Sequence, residues 1–215
     1  MTPFPRTPLR LIDRQNIYFD RRFHAAFPSA APLADGRLLL AFRRAPDPRR
    51  LLGGFHNLDA EEGDSADFNQ VDHLDPRSHI AALRLDGDLK PIGEAWGLPC
   101  DGEAADQDPN LVRLRSGRLL LAGFSWRPVA PWIVPRLKAA GVGVAGSAAH
   151  HGVGFVFWGG WSRWSDDDGH HWSERRDLAA VPGQPDLVPG ERPYFGGPIR
   201  GRAAELADGT VLQAS

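Results

Sequence analysis

One short run does most to limit what this chain can fold into: Ser165-Asp166-Asp167-Asp168-Gly169-His170-His171-Trp172. It follows the pattern S-x-D-x-G-x-x-W, and each residue type in it suits a tight hairpin. Ser165 and Asp167 carry short oxygens that can accept from backbone N–H groups inside a turn. Gly169 can take a positive φ without a Cβ clash. Trp172 returns as the first large apolar residue of the next segment and can cover the turn. The stretch before it, Gly154-Phe155-Val156-Phe157-Trp158, is aromatic and β-branched, which predicts a strand.

The chain also repeats. Leu33-Ala34-Asp35-Gly36-Arg37-Leu38-Leu39-Leu40-Ala41 recurs as Leu114-Arg115-Ser116-Gly117-Arg118-Leu119-Leu120-Leu121-Ala122, with Gly36 and Gly117 81 residues apart. A third copy, Leu206-Ala207-Asp208-Gly209-Thr210-Val211-Leu212, follows 92 residues after the second. Each copy reads as strand, Asp/Ser-Gly turn, strand. The outer half repeats too. Leu85 to Glu94, containing Asp86-Gly87-Asp88-Leu89-Lys90, stands where Ser165 to Glu174 stands later, and Glu94 and Glu174 are 80 residues apart. Two landmarks with one period predict a four-stranded unit in tandem, as in a propeller blade.

The Ser165–Trp172 run resembles the Asp box of the sialidase (neuraminidase) superfamily, also called the BNR repeat, and Leu85 to Glu94 is similar to a decayed copy of it. The resemblance implies an all-β, sialidase-like β-propeller, with the Asp box between the outer two strands of a blade and remote from the active site. The expected organisation is an entry segment at 1–23, blade units at about 24–97 and 98–174, and an incomplete unit at 194–215. An insertion at 131–152 is expected to hold a short helix near Trp132 to Ala140, and a strand is expected from Asn16 to Phe19. At about two to two and a half blades the ring would not close. The chain is therefore expected to be the front part of a longer protein, with assembly of several copies as the alternative.

By the same resemblance the function is a sialidase-like exo-glycoside hydrolase that removes a terminal, acidic sugar. The alternatives are a non-catalytic glycan- or protein-binding propeller and the remnant of a broken gene. Such enzymes hold a substrate carboxylate with arginines, because bidentate charge-assisted pairing suits guanidinium better than ammonium. The candidates are Arg43, Arg77 and Arg200, with Arg44 and Arg202 beside them. The family's first arginine lies before the first strand, and Ala26 stands at that place here; Arg43 is the substitute. Asp75, in a loop before a strand leading to the first Asp-box-like turn, matches the family's acid/base, with Asp72 in reserve. Asp108, at the start of the second inner strand, is the second candidate carboxylate. Protonating a leaving oxygen requires a carboxyl whose pKa is raised by burial. The family's tyrosine nucleophile comes from a late blade. Tyr18 and Tyr194 do not match that position, and Glu205 has no clear family counterpart. Each of these arginines and aspartates also has a plain reading as a surface ion pair or turn residue.

The remaining features mostly exclude. The formal charge over 215 residues is −2, with no basic patch interleaved with aromatics, so nucleic acid is not an expected partner. Lysine occurs only at positions 90 and 138. The single cysteine, Cys100, excludes an internal disulfide. No apolar run approaches a membrane span and the N-terminal stretch has no secretory character, so the expected location is cytoplasmic. Gly141-Val142-Gly143-Val144-Ala145-Gly146 fits G-x-G-x-x-G, but no strand precedes it and it reads as flexible insertion. His150-His151 and His170-His171 have no third ligand spaced to join them, and Asp64, Asp67 and Asn69 lack EF-hand order. No metal or cofactor is expected, and the expected partner is a carbohydrate.

Overall fold

The computed structural model describes residues 14–46, 75–146, 154–179 and 201–213. They form antiparallel sheets and one short helix, so the chain is all-β. The first sheet is a meander of β1 (Phe23–Pro32), β2 (Leu38–Pro46), β3 (His79–Leu85) and β4 (Pro91–Gly97), hydrogen-bonded in that order. The second contains β5 (Ala105–Arg113), β6 (Leu119–Val129) and β8 (Gly154–Ser165), with β9 (Arg176–Asp177) on the outer edge of β8. Between β6 and β8 lie α1 (Val134–Ala139) and β7 (Val144–Gly146). A third hairpin pairs β10 (Ala204–Glu205) with β11 (Val211–Leu212).

The repeated Gly turns are the same turn three times. Gly36, Gly117 and Gly209 have φ of 84, 90 and 86°. In each, the glycine N–H donates to the carbonyl three residues back: Leu33, Leu114 and Leu206 respectively. The leucine N–H in turn donates across the turn to the carbonyls of Arg37, Arg118 and Thr210. A glycine stands at each because a side chain at this φ is strained.

Strand alternation places the core. In β2, Leu39 and Ala41 face the second sheet, while Leu38, Leu40 and Phe42 face away. Ile80 and Ala82 of β3 join the first group, and Leu111, Leu119, Leu121 and Trp161 meet them from the second sheet. Trp96 and Trp172 close the rim of this seam. Leu39 and Trp161 are at most 1% exposed, and burying a side chain of that kind contributes about 1.5–3 kcal/mol. Because both faces of β2 and β3 are covered, these two strands read as nearly continuous apolar runs.

Two expectations are corrected. The segment from Asn16 to Phe19 is not a strand. Ile17 and Tyr18 pack on the face of the first sheet, with Tyr18 4.6 Å from Phe42 between ring centroids. Its apolar residues cover a sheet instead of extending one. The G-x-G-x-x-G stretch is not simply loop: Val144–Gly146 pairs with β8, at Val144↔Val156 through Gly146↔Gly154. The cause is the length of β8, twelve residues: β9 pairs with it only at Trp161 and Ser162, which leaves the first half of that edge to β7. Val142 and Val144 then pack with Leu137 of α1, Val156 and Trp158.

Candidate functional site

The first strands of the two larger sheets, β1 and β5, are broken at the same place. The β1–β2 register skips between Ala26 and Ser29, and the β5–β6 register between Gln107 and Asn110. The bulged residues, Phe27 and Asp108, have φ of 55 and 43°, a region costly for side chains other than Gly or Asn. A proline follows each, Pro28 and Pro109, and has no N–H to give to the ladder. Phe27 and Asp108 each stand nine residues before a turn glycine, and the residue at the same step before Gly209 is Arg200.

The two bulges open onto one cleft of about 540 Å³, lined by Phe27, Pro28, Ser29, Asp108, Asn110 and Arg202 among others. That volume lies in the ordinary range for small-molecule sites. Ser29 ties these two strands together: its hydroxyl accepts from the Leu111 N–H at 2.9 Å and reaches the Leu111 carbonyl at 3.4 Å. Asn110 is 8% exposed. Its amide nitrogen donates to the Gly201 carbonyl, while its Oδ1 is buried with no protein partner among the described residues. Phe27 is 40% exposed.

Arg43 lies behind the cleft. It is 1% exposed, donates from Nη1 to Oε1 of Gln107 at 3.0 Å, and holds its guanidinium 5.2 Å from the Phe27 ring centroid. Arg44 turns away: its Nε donates to His79 Nε2 at 2.9 Å, and it stacks on Phe23 at 4.3 Å. Burial, with the nearby Arg44 charge, lowers the His79 pKa.

Asp75 and Arg77 hold each other. Arg77 donates from Nε to Oδ1 at 3.1 Å and from Nη2 to Oδ2 at 3.0 Å, and its backbone N–H bonds Oδ1 at 2.8 Å. Asp75 is 1% exposed, and neither residue is among those lining the cleft. Arg200, Asp72 and Tyr194, like His150, His151, Asp64, Asp67 and Asn69, lie outside the described residues. Arg202 is in the cleft, Tyr18 packs on Phe42, and Glu205 pairs with Arg115, accepting from its backbone N–H at 2.7 Å.

Sequence reasoning missed a buried carboxylate, Asp106. It is 2% exposed and accepts from the Ser125 hydroxyl at 2.6 Å. Arg175 Nη1 stands 3.3 Å from it and 3.2 Å from Asp101, while Arg175 Nε bonds Asp177. Burial pushes the Asp106 pKa up to about 6, against the pull of Ser125 and Arg175. Its backbone N–H donates to the Ser78 carbonyl at 3.1 Å, which ties the second sheet to the turn that carries Asp75. Asp106 is not among the cleft's lining residues. Phe27 and Asn110 were missed as well; a bulky residue and an aspartate before proline at one repeat period were the available signal.

No family model and no curated protein matches the chain. Among solved structures it is similar to the crystal structure of a protein of unknown function from Dyadobacter fermentans DSM 18053, with 26% identity and a TM-score of 0.69. The match covers 91% of this chain and 47% of that one, so the chain spans about half the length of that structure. No helix among the described residues is long and apolar enough to cross a membrane.

Proposed function

We propose that the two larger sheets are blades of a sialidase-like β-propeller, and that the cleft between their inner strands handles a terminal sugar in an exo-acting glycoside hydrolase. The blade reading is supported by two antiparallel sheets packed face to face, by three copies of one turn, and by the bonded geometry of the Asp-box run. Ser165 Oγ donates to Asp167 Oδ1 at 2.8 Å and accepts from the Gly169 N–H at 2.9 Å. Asp167 accepts from the His171 N–H at 2.9 Å, and these bonds hold its carboxyl well below the usual carboxylate range. Gly169 has φ of 83°, and Trp172 packs on the seam.

The observation that carries the functional reading is the cleft's equipment. A carboxylate, an amide oxygen, a guanidinium and an aromatic ring converge from Asp108, Asn110, Arg202 and Phe27. Asp108 is the carboxylate placed to act on a bound sugar, and Arg202 the cation placed to take an acidic substituent. Asp75 could serve as acid only after the Arg77 fork opens, so it ranks behind Asp108. A second reading, a glycan-binding propeller without turnover, has one observation in its favour. Beside an acid such an enzyme needs a nucleophile, a tyrosine in the family it resembles, and among the described residues the cleft is lined by Asp108 but by no tyrosine or second carboxylate.

The test is turnover of fluorogenic glycosides of N-acetylneuraminic acid and of neutral hexoses, with Asp108→Asn alongside. General acid–base groups contribute about 10²–10⁴-fold, so the variant should lose at least about 100-fold. Equal rates in the two proteins would remove Asp108 from the chemistry. Sugar binding without turnover would move the binding reading ahead, and neither binding nor turnover would remove both.

A further inference from the structure

We infer that Phe27 is the platform on which a pyranose ring stacks in the cleft, with Asp108 and Asn110 accepting hydrogen bonds from the ring's hydroxyls. The assignment rests on the sugar-handling reading above and adds the group that sets ring specificity. Four observations converge on it. Phe27 is held at φ of 55°, a strain that glycine would avoid and that tends to persist where a side chain is being aimed. The equivalent bulge of the second sheet aims Asp108 into the same cleft, so both strained positions serve one space.

The ring is also fixed from behind. Buried Arg43 stacks on it at 5.2 Å and is itself anchored to Gln107, yet the ring stays 40% exposed on the cleft side. The polar groups beside it are of one kind. Asp108 brings a carboxylate to the cleft, and the buried Asn110 Oδ1, which has no partner among the described residues, calls for a donor from a ligand. A pyranose has this pairing: a C–H face that is apolar and a rim of hydroxyl donors. Arg202 would then donate to a ring substituent or a carboxylate.

Isothermal titration with methyl β-D-galactopyranoside and with the methyl α-glycoside of N-acetylneuraminic acid tests this, on wild type, Phe27→Ala, Phe27→Leu and Phe27→Trp. Loss of an aromatic contact is expected to weaken binding about three- to tenfold in Phe27→Ala. Phe27→Leu should weaken it too, since bulk remains but the flat ring does not, and Phe27→Trp should bind as wild type. Phe27→Gly supplies the contrast: it should hold or raise the melting temperature by relieving the backbone while losing affinity. Affinity unchanged in Phe27→Ala or Phe27→Leu, with wild type binding, overturns the platform and leaves the sugar reading standing. Wild type that binds neither glycoside overturns both.

Discussion

The seam between the two larger sheets is closed differently at its two ends. At the Leu39 end the Ser165–Trp172 turn presses on the first sheet. Arg84 of β3 donates to the Asp168 carbonyl at 3.0 Å, Arg113 of β5 bonds the Asp168 carboxylate at 2.6 Å, and Gly169 sits against Leu39. At the other end, four positions along β2, the apolar stripe gives way to charge. Arg43 meets Gln107, and beyond it Asp106, Ser125 and Arg175 form a buried network. One end is a local turn that happens to reach across; the other is built from residues far apart in the chain. A local turn carries its stability in its own bonds. A long-range polar cluster depends on every member arriving, and leaves a burial cost behind it.

The sharpest way to break the turn end is Gly169→Ala. A Cβ there would lie 2.7 Å from Leu39 Cδ2, and the backbone sits at φ of 83°. Backbone strain of about 1–2 kcal/mol adds to overpacking of about 1–3 kcal/mol, so the loss should be about 2–5 kcal/mol. Gly36→Ala is the control. It has nearly the same φ, 84°, with nothing within 4 Å of the added atom, so only the strain, about 1–2 kcal/mol, is expected. Denaturant midpoints measure both. Equal losses would mean that Leu39 gives way and that the turn does not bear on the seam.

At the polar end the lever is pH. The Asp106 carboxyl is raised from 3.8 to about 6 by burial, so the fold favours its neutral form. Its contribution is fully present below about pH 4 and is lost as pH rises through 6. By linkage the loss is on the order of 3 kcal/mol. Asp20, held at about 2 by Arg22, acts in the opposite sense and only at lower pH. His79, lowered by burial, destabilises as pH falls below 6.5 and so opposes Asp106 in the same window. Asp106→Asn retains both groups, so the difference between the two proteins isolates Asp106. Urea unfolding at pH 4, 5, 6 and 7 should show the variant gaining on wild type as pH rises. Parallel curves would show that Asp106 is charged in the fold throughout.

This contrast also explains what the sequence could convey. The Ser165–Trp172 turn and the three Gly turns were legible because each bond joins residues within four positions, and a short window fixes its own geometry. The faces of β2 were not legible, because Leu38 to Phe42 is one unbroken apolar run. Arg43 and Gln107 are separated by 64 positions, and nothing local marks them as partners. Asp75 and Arg77 are close in sequence, yet their pairing with each other away from the cleft follows from the placement of a turn. The strand at Val144–Gly146 was hidden because its pairing depends on the length of β8. Phe27 was hidden because an aromatic on a strand ordinarily reads as core.

The smallest expected effect compares the two outer turns. In the Ser165–Trp172 turn Ser165 is 2% exposed and both donates and accepts. Ser165→Ala leaves the Gly169 N–H and Asp167 short of a partner inside a packed turn, which should cost about 1–3 kcal/mol. The matching turn of the first sheet depends on Asp86 Oδ1, which accepts from the N–H groups of Asp88 and Lys90 at 2.9 Å. That turn is exposed and carries Leu89 at φ of 63°. Water can replace Asp86, so Asp86→Ala should cost only about 0.5–1.5 kcal/mol. Hydrogen exchange of the Gly169 and Lys90 amides would read each turn directly. Protection should fall steeply at Gly169 and slightly at Lys90. A larger change at Lys90 would mean that the Asp86 turn, not the Ser165 turn, is the one its sheet depends on.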